Sequence, residues 1–173
     1  MRHKVFVSAC LLGRAVRYNG TARLSGHPIL ERWLAEGRVV ALCPEVAAGF
    51  ATPRPPAEIT AGRQGEAVWA GDAQVIEQNG ADVTALYEAA GRLALDLAQA
   101  EGCRHAVLTD GSPSCGSSYI YDGSFTGVRQ PGRGTTAALL NAHGIAVYAE
   151  SQITELDMLL AELERLPLAG ATG

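Results

Sequence analysis

Three cysteines occupy equivalent places in this sequence. Cys10 directly follows the apolar run of residues 4–9, Cys43 directly follows residues 38–42, and Cys115 sits in a Gly/Ser/Pro loop shortly after residues 105–109. If those runs are parallel strands, their C-terminal ends share one edge with neighbours about 4.8 Å apart, so three loops emerge within reach of a common ligand. That edge is also where open α/β sheets bind ligands. Thiolates gathered this way suit an iron-sulfur cluster that does chemistry. The same three thiols with Glu45 would also satisfy a tetrahedral zinc ion in a structural or sensory protein. Cys103, in Gly102-Cys103-Arg104, precedes its run and belongs at the opposite edge, as a buried small hydrophobe.

The loops carry acid-base groups as well. Cys43-Pro44-Glu45 places a carboxylate two residues past one thiol, and Asp110-Gly111-Ser112-Pro113-Ser114-Cys115-Gly116 places two hydroxyls beside another. Glycine there allows backbone N–H groups to approach a cofactor, and Pro113 stiffens the turn. The turn Gly132-Arg133-Gly134-Thr135-Thr136 opens a helix whose free N–H groups could take an anion.

These residues need a scaffold that aligns the loops. Residues 4–9, 38–42, 105–109 and 145–149 are short runs rich in β-branched residues, as expected of buried parallel strands. Helices are predicted between them. His27 to Glu36 has Ile29, Leu30, Trp33 and Leu34 at helical spacing before Gly37. Asp82 to Glu101 carries Val83, Leu86, Tyr87, Ala90, Leu93, Ala94 and Leu97 on one stripe before Gly102; Thr135 to Ala142 and Thr154 to Leu166 complete the set. Strands alternating with helices give an α/β, Rossmann-like, open and mostly parallel sheet with flanking helices. The stretch Pro53 to Gly71 breaks the rhythm and reads as a small hairpin insertion, with strands at Glu58 to Thr60 and Glu66 to Ala70. One domain is expected over residues 1–167, with 168–173 a disordered tail.

Composition narrows the function classes. The 173-residue chain is 47% hydrophobic, with a formal charge of -4 and a pI near 5.5, which disfavours nucleic acid as a bulk partner because phosphate neutralisation needs a basic surface. No apolar run approaches the roughly 20 residues that span a bilayer, so no membrane partner is expected. The N-terminal residues do not read as a signal peptide, so a cytoplasmic location is expected. In a reducing compartment four cysteines read as ligands, nucleophiles or buried thiols rather than disulfides. The oligomeric state is left open by the sequence.

The motifs resemble the family known as domain of unknown function 523, and within it the thiouracil desulfidases. The likeness runs through Ser8-Ala9-Cys10-Leu11-Leu12-Gly13, Arg17-Tyr18-Asn19-Gly20, Cys43-Pro44-Glu45, Pro53-Arg54 with Pro56 and Glu58, Ser112-Pro113-Ser114-Cys115-Gly116, Tyr121-Asp122-Gly123, Phe125-Thr126-Gly127, and Gly132 with Gly134. It departs from the family at Thr109-Asp110-Gly111, where a lysine often stands.

The resemblance implies a 4Fe-4S cluster held by Cys10, Cys43 and Cys115 alone, its fourth iron open, and non-redox removal of sulfur from a thiolated pyrimidine such as 2-thiouracil, giving uracil and sulfide. Glu45 and Ser112 match positions carried over as catalytic, Glu45 to activate water and Ser112 to relay a proton. A planar base also needs a stacking surface and partners for its edge, for which Arg17, Tyr18, Arg54, Ser114, Asp122 and Ser124 are the candidates. Besides the zinc reading, the competing function is a sulfur transferase acting on a nucleobase, although the acidic charge speaks against tRNA.

Overall fold

The computed structural model describes residues 2–13 and 26–166. Strands are β1 (Val5–Ser8), β2 (Val39–Leu42), β3 (Ala57–Ile59), β4 (Val75–Glu77), β5 (His105–Leu108), β6 (Tyr119–Tyr121), β7 (Arg129–Pro131) and β8 (Ala146–Ala149). Helices are α1 (Pro28–Ala35), α2 (Pro44–Ala47), α3 (Gly65–Trp69), α4 (Thr84–Ala100), α5 (Thr135–Ala142) and α6 (Ile153–Arg165). Expected tail residues 168–173 lie outside the described residues.

The four apolar runs form one parallel sheet in the order β2-β1-β5-β8. β1 and β5 are central and buried at every position, whereas the edge strand β2 is only half-buried. Hydrophobic residues on both faces explain why these runs read as continuous rather than alternating. Two cores follow. Phe6, Ala106 and Leu108 pack under α4 and α5 on one face; Val5, Val7 and Val107 pack under α1 and α6 on the other.

The strand order fixes the site. From β1 the chain steps outward to β2, then returns to lay β5 on the other flank of β1, so β1 and β5 bracket a topological switch point. The register pairs Ser8 with Leu42 and Val7 with Val107. The strands therefore end level, and the segments bearing Cys10, Cys43 and Cys115 leave the sheet side by side.

Two expectations change. The run Glu66 to Ala70 is not a strand: Gly65–Trp69 is a helical turn, and β3 pairs antiparallel with β4. Here Glu66 sits in the first turn, and the Trp69 indole N–H donates to the Thr135 carbonyl at 2.8 Å, so tertiary anchoring outweighs the strand propensity of Val68 and Trp69. On α4 the buried stripe is Tyr87, Ala90, Gly91, Ala94, Leu95 and Ala98, while Leu86 and Leu93 are 45% and 42% exposed. The small residues let neighbours come close; a Cβ on Gly91 would lie 2.9 Å from the Trp69 ring. Among the described residues no helix is long and apolar enough to cross a membrane.

One buried group makes the fold acid-sensitive. His105 opens β5 with its Nδ1 lacking a hydrogen-bond partner among the described residues, and burial lowers its pKa, helped by His3 and Arg104. A depressed histidine pKa means that the unfolded chain binds more protons below about pH 6.5, so stability falls as pH drops through that range. Thermal melts from pH 7.5 to 5.5 should lose a few degrees, and His105→Gln should flatten that slope. An unchanged slope in the variant would assign the sensitivity elsewhere.

Candidate active site

A cavity of about 580 Å³ at this sheet edge is lined by Cys10, Cys43 and Cys115 together with Glu45, Arg54 and Ser112. Cys10 stands in a short 3-10 turn after β1, its Sγ 2.7 Å from Thr109 Oγ1 beyond β5. Cys43 is the N-cap residue of α2, with Pro44 opening the helix and Glu45 in its first turn, an arrangement that suits a helix start. Cys115 is buried in the loop between β5 and β6. None of the four cysteines is in a disulfide among the described residues.

The three cavity thiols share one electrostatic environment. Burial raises the pKa of Cys43, with Glu45 and Cys10 adding to it and a Val46 backbone hydrogen bond and Arg54 opposing it. Burial also pushes Cys115 well above its usual range, reinforced by Cys43, Glu45 and Cys10. Cys103 sits apart in the core beside Ala98 and Ala106, where burial raises it to about 11. It does not line the cavity.

A polar chain runs from one cysteine loop to the other. Ser112 Oγ accepts from the backbone N–H groups of Ser114 and Cys115 at 3.0 and 3.1 Å and donates to Glu45 Oε1 at 3.1 Å. A hydroxyl has one proton and two lone pairs, so Ser112 is fully engaged and its proton is aimed at Glu45. Glu45 Oε2 in turn accepts from Arg54 Nε at 2.7 Å and from Nη2. The Arg54 and Glu45 side chains are only 5% and 8% exposed, which makes this a buried ion pair. Phe50 supports it, lying 5.8 Å beneath the Arg54 guanidinium and edge-on to Tyr87 at 5.0 Å. Burial, chiefly, holds the Tyr87 phenol well above its usual pKa, beside Glu45 and Cys115. It is therefore a neutral wall of the cavity.

Not all the expected contacts face the cavity. Arg54 lines it as the partner of Glu45, not as a free donor for a substrate. Ser114 is fully buried with its Oγ 2.7 Å from Thr136 Oγ1 and does not line the cavity. Asp122 Oδ1 accepts from the backbone N–H and the hydroxyl of Ser124 within the turn between β6 and β7, and neither residue is among those lining the cavity. Arg17 and Tyr18 lie outside the described residues. Hairpin β6–β7 supplies two lining residues that no motif contained, Tyr119 and Arg129, and brings in Tyr121 and Phe125 from the motifs; Glu58 lines the cavity from β3. The alternation Tyr119-Ile120-Tyr121 ahead of a Gly-containing turn was the available sign of that hairpin.

The start of α5 does not bind an anion either. Its first N–H groups are taken by the cysteine loop: Thr135 N–H donates to Pro113 O, and Thr136 and Ala137 N–H both donate to Ser114 O. Gly134 makes the approach possible, since a Cβ there would lie 2.4 Å from Ser114 O and 2.6 Å from Pro113 O. Gly134→Ala must displace backbone on both sides, and is expected to cost about 1–3 kcal/mol. Because the strain falls on the Cys115 loop, the melting temperature and the retention of any bound metal should fall together. A loss of stability with full retention would separate the clamp from the site.

Among the described residues no His, Cys, Asp or Glu group could hold one metal ion. Zinc draws its thiolates to about 2.3 Å around one centre, whereas a cluster takes each cysteine on a separate iron and tolerates a wider spread.

A model of the 2-thiouracil desulfurase family matches residues 5–152. An uncharacterised protein of Bacillus subtilis (strain 168), YbbK, is 40% identical over 152 residues, covering 88% of this chain and 99% of its own. The solved structure of the 4Fe-4S-dependent thiouracil desulfidase TudS is 48% identical and superposes with a TM-score of 0.84, covering 93% of this chain and 99% of that one.

Proposed function

This chain belongs to the 2-thiouracil desulfurase family, and from that premise we propose that it removes sulfur from a thiolated pyrimidine, 2-thiouracil plus water giving uracil plus hydrogen sulfide, with no net redox change. Cys10, Cys43 and Cys115 would hold a 4Fe-4S cluster through three irons. The observation that carries this is their position: three cysteines in segments that follow parallel strands, lining one cavity with Glu45 and Ser112. When bound, such a cluster supplies a soft Lewis-acidic iron with a position free for a thiocarbonyl sulfur.

The chain's own groups supply the rest. Arg54 fixes the Glu45 carboxylate through Oε2, leaving Oε1, with one lone pair beyond the Ser112 bond, as the atom that takes a proton from the attacking water. Ser112, held by the two backbone N–H groups it accepts from, orients Oε1 through the proton it donates. The buried Glu45–Arg54 pair carries no net charge, so Glu45 does not add an uncompensated negative charge to a cavity that must seat three thiolates.

The test is a turnover panel of thiolated and oxygenated pyrimidines with protein reconstituted without oxygen. Uracil and sulfide should appear in equal amounts without added reductant. A requirement for reductant, or sulfur retained on an organic product, would contradict the reading.

A further inference from the structure

The turn between β6 and β7 holds a residue in a conformation its side chain does not favour. Phe125 has φ 56, the left-handed region, which is costly for a bulky residue and tends to persist where function requires it. The surroundings enforce it. Glu58 Oε1 accepts from the N–H groups of Gly123 and Phe125 at 2.9 and 3.2 Å, and Gly123 lies so close to β3 that a Cβ would come within 2.4 Å of Ile59 O. Both Glu58 and Phe125 line the cavity that holds the cysteines.

The other aromatic rings of this hairpin are engaged. Tyr119 lies 4.5 Å beneath the Arg129 guanidinium and edge-on to Tyr121 at 6.3 Å. Phe125 is in none of the ring-ring or cation-ring pairs among the described residues. Phe125 thus lines the cavity without such a pairing among the described residues.

We propose that Phe125 is the aromatic wall on which the planar substrate ring packs and that Glu58 is the residue positioning it, an inference that rests on the thiolated pyrimidine proposed above. Aromatic stacking of a base is sequence-tolerant and substantial, so it would hold the ring while the reacting carbon is presented to the water that Glu45 activates.

The experiment compares Phe125→Gly, Glu58→Ala, Glu58→Gln and the double variant Glu58→Ala/Phe125→Gly in cluster-loaded protein, reading KM for 2-thiouracil and, by calorimetry, Kd for uracil. Phe125→Gly should raise both about tenfold, with a smaller change in kcat. Its melting temperature should not fall, because glycine accepts this φ without strain. Glu58→Ala should give the same rise, and Glu58→Gln, whose amide oxygen can still accept both N–H groups, should stay near wild type. The double variant should be no worse than either single one, the mark of two residues acting through one contact. If Glu58→Ala does not fold, Glu58→Asp, with its carboxylate withdrawn by one methylene, takes its place. Wild-type KM and Kd in Phe125→Gly would overturn the wall, and multiplying effects in the double variant would overturn the positioning role. Cluster-loaded wild type that leaves 2-thiouracil intact would sink the desulfidase reading and this inference with it, whereas an active wild type with unaffected variants sinks the inference alone.

Discussion

Replacing Cys10, Cys43 or Cys115 singly by serine is expected to remove the cluster and reduce desulfidation to background, while Cys103→Ser retains both. The reasoning is geometric. The three thiols lie beyond level strand ends and line one cavity, whereas Cys103 is packed beside Ala98 in the core with its pKa raised to about 11. Losing an outer hydrogen-bond partner of a metal ligand costs roughly 10- to 100-fold in affinity or activity, so losing a ligand outright should exceed that. Serine is nearly isosteric and keeps the folds of these short loops, which makes melting temperature an internal control. Iron and sulfide content, visible absorption and turnover are the readouts. A Cys10, Cys43 or Cys115 variant with full cluster content, or a Cys103 variant without it, would show that the ligand set is wrong.

Glu45→Gln should leave the cluster in place and lower kcat by about 100- to 10,000-fold, the range that general acid-base groups contribute. Glutamine preserves the shape but has one acceptor oxygen where Arg54 and Ser112 donate to two, so the substitution removes the proton acceptor and keeps only one of those two bonds. It also breaks the charge balance of a buried pair, leaving the Arg54 guanidinium, 5% exposed, without its counter-ion. Deleting one member of such a pair costs about 3–5 kcal/mol. Arg54→Met should therefore destabilise the protein comparably, while leaving a carboxylate that is less well fixed. The two variants separate chemistry from support: Glu45→Gln should lose kcat with intact cluster absorption, and Arg54→Met should lose stability more than kcat. Equal losses of cluster in both would demote Glu45 to a structural residue.

The parallel sheet and its cysteines were legible because the signals were local: four short apolar runs, each followed by a turn, with three thiols just past their ends. The β-hairpins were less legible. Their strands are three residues long, and Glu66 to Ala70 was drawn into a helix by contacts to α5 that no local pattern records. Roles set by tertiary partners were hidden in the same way. Nothing around Arg54 announced that it would pair with Glu45, and nothing around Ser114 showed that its hydroxyl would turn to Thr136. The free N–H groups at the start of α5 suggested an anion; the carbonyls that occupy them come from a loop some 20 residues earlier. Helical spacing found α4 but rotated its buried face, because the stripe that packs is made of alanine and glycine, which apolar spacing alone undervalues.

Protein reconstituted with the iron-57 isotope and examined by Mössbauer spectroscopy before and after adding 2-thiouracil tests the seat of the chemistry directly. One iron of the four should stand apart from the other three in the resting protein, and its signal alone should shift when the thiolated base is added. Four equivalent irons that ignore 2-thiouracil, or a single iron site with no cluster signature, would contradict a three-cysteine cluster with one position left for substrate.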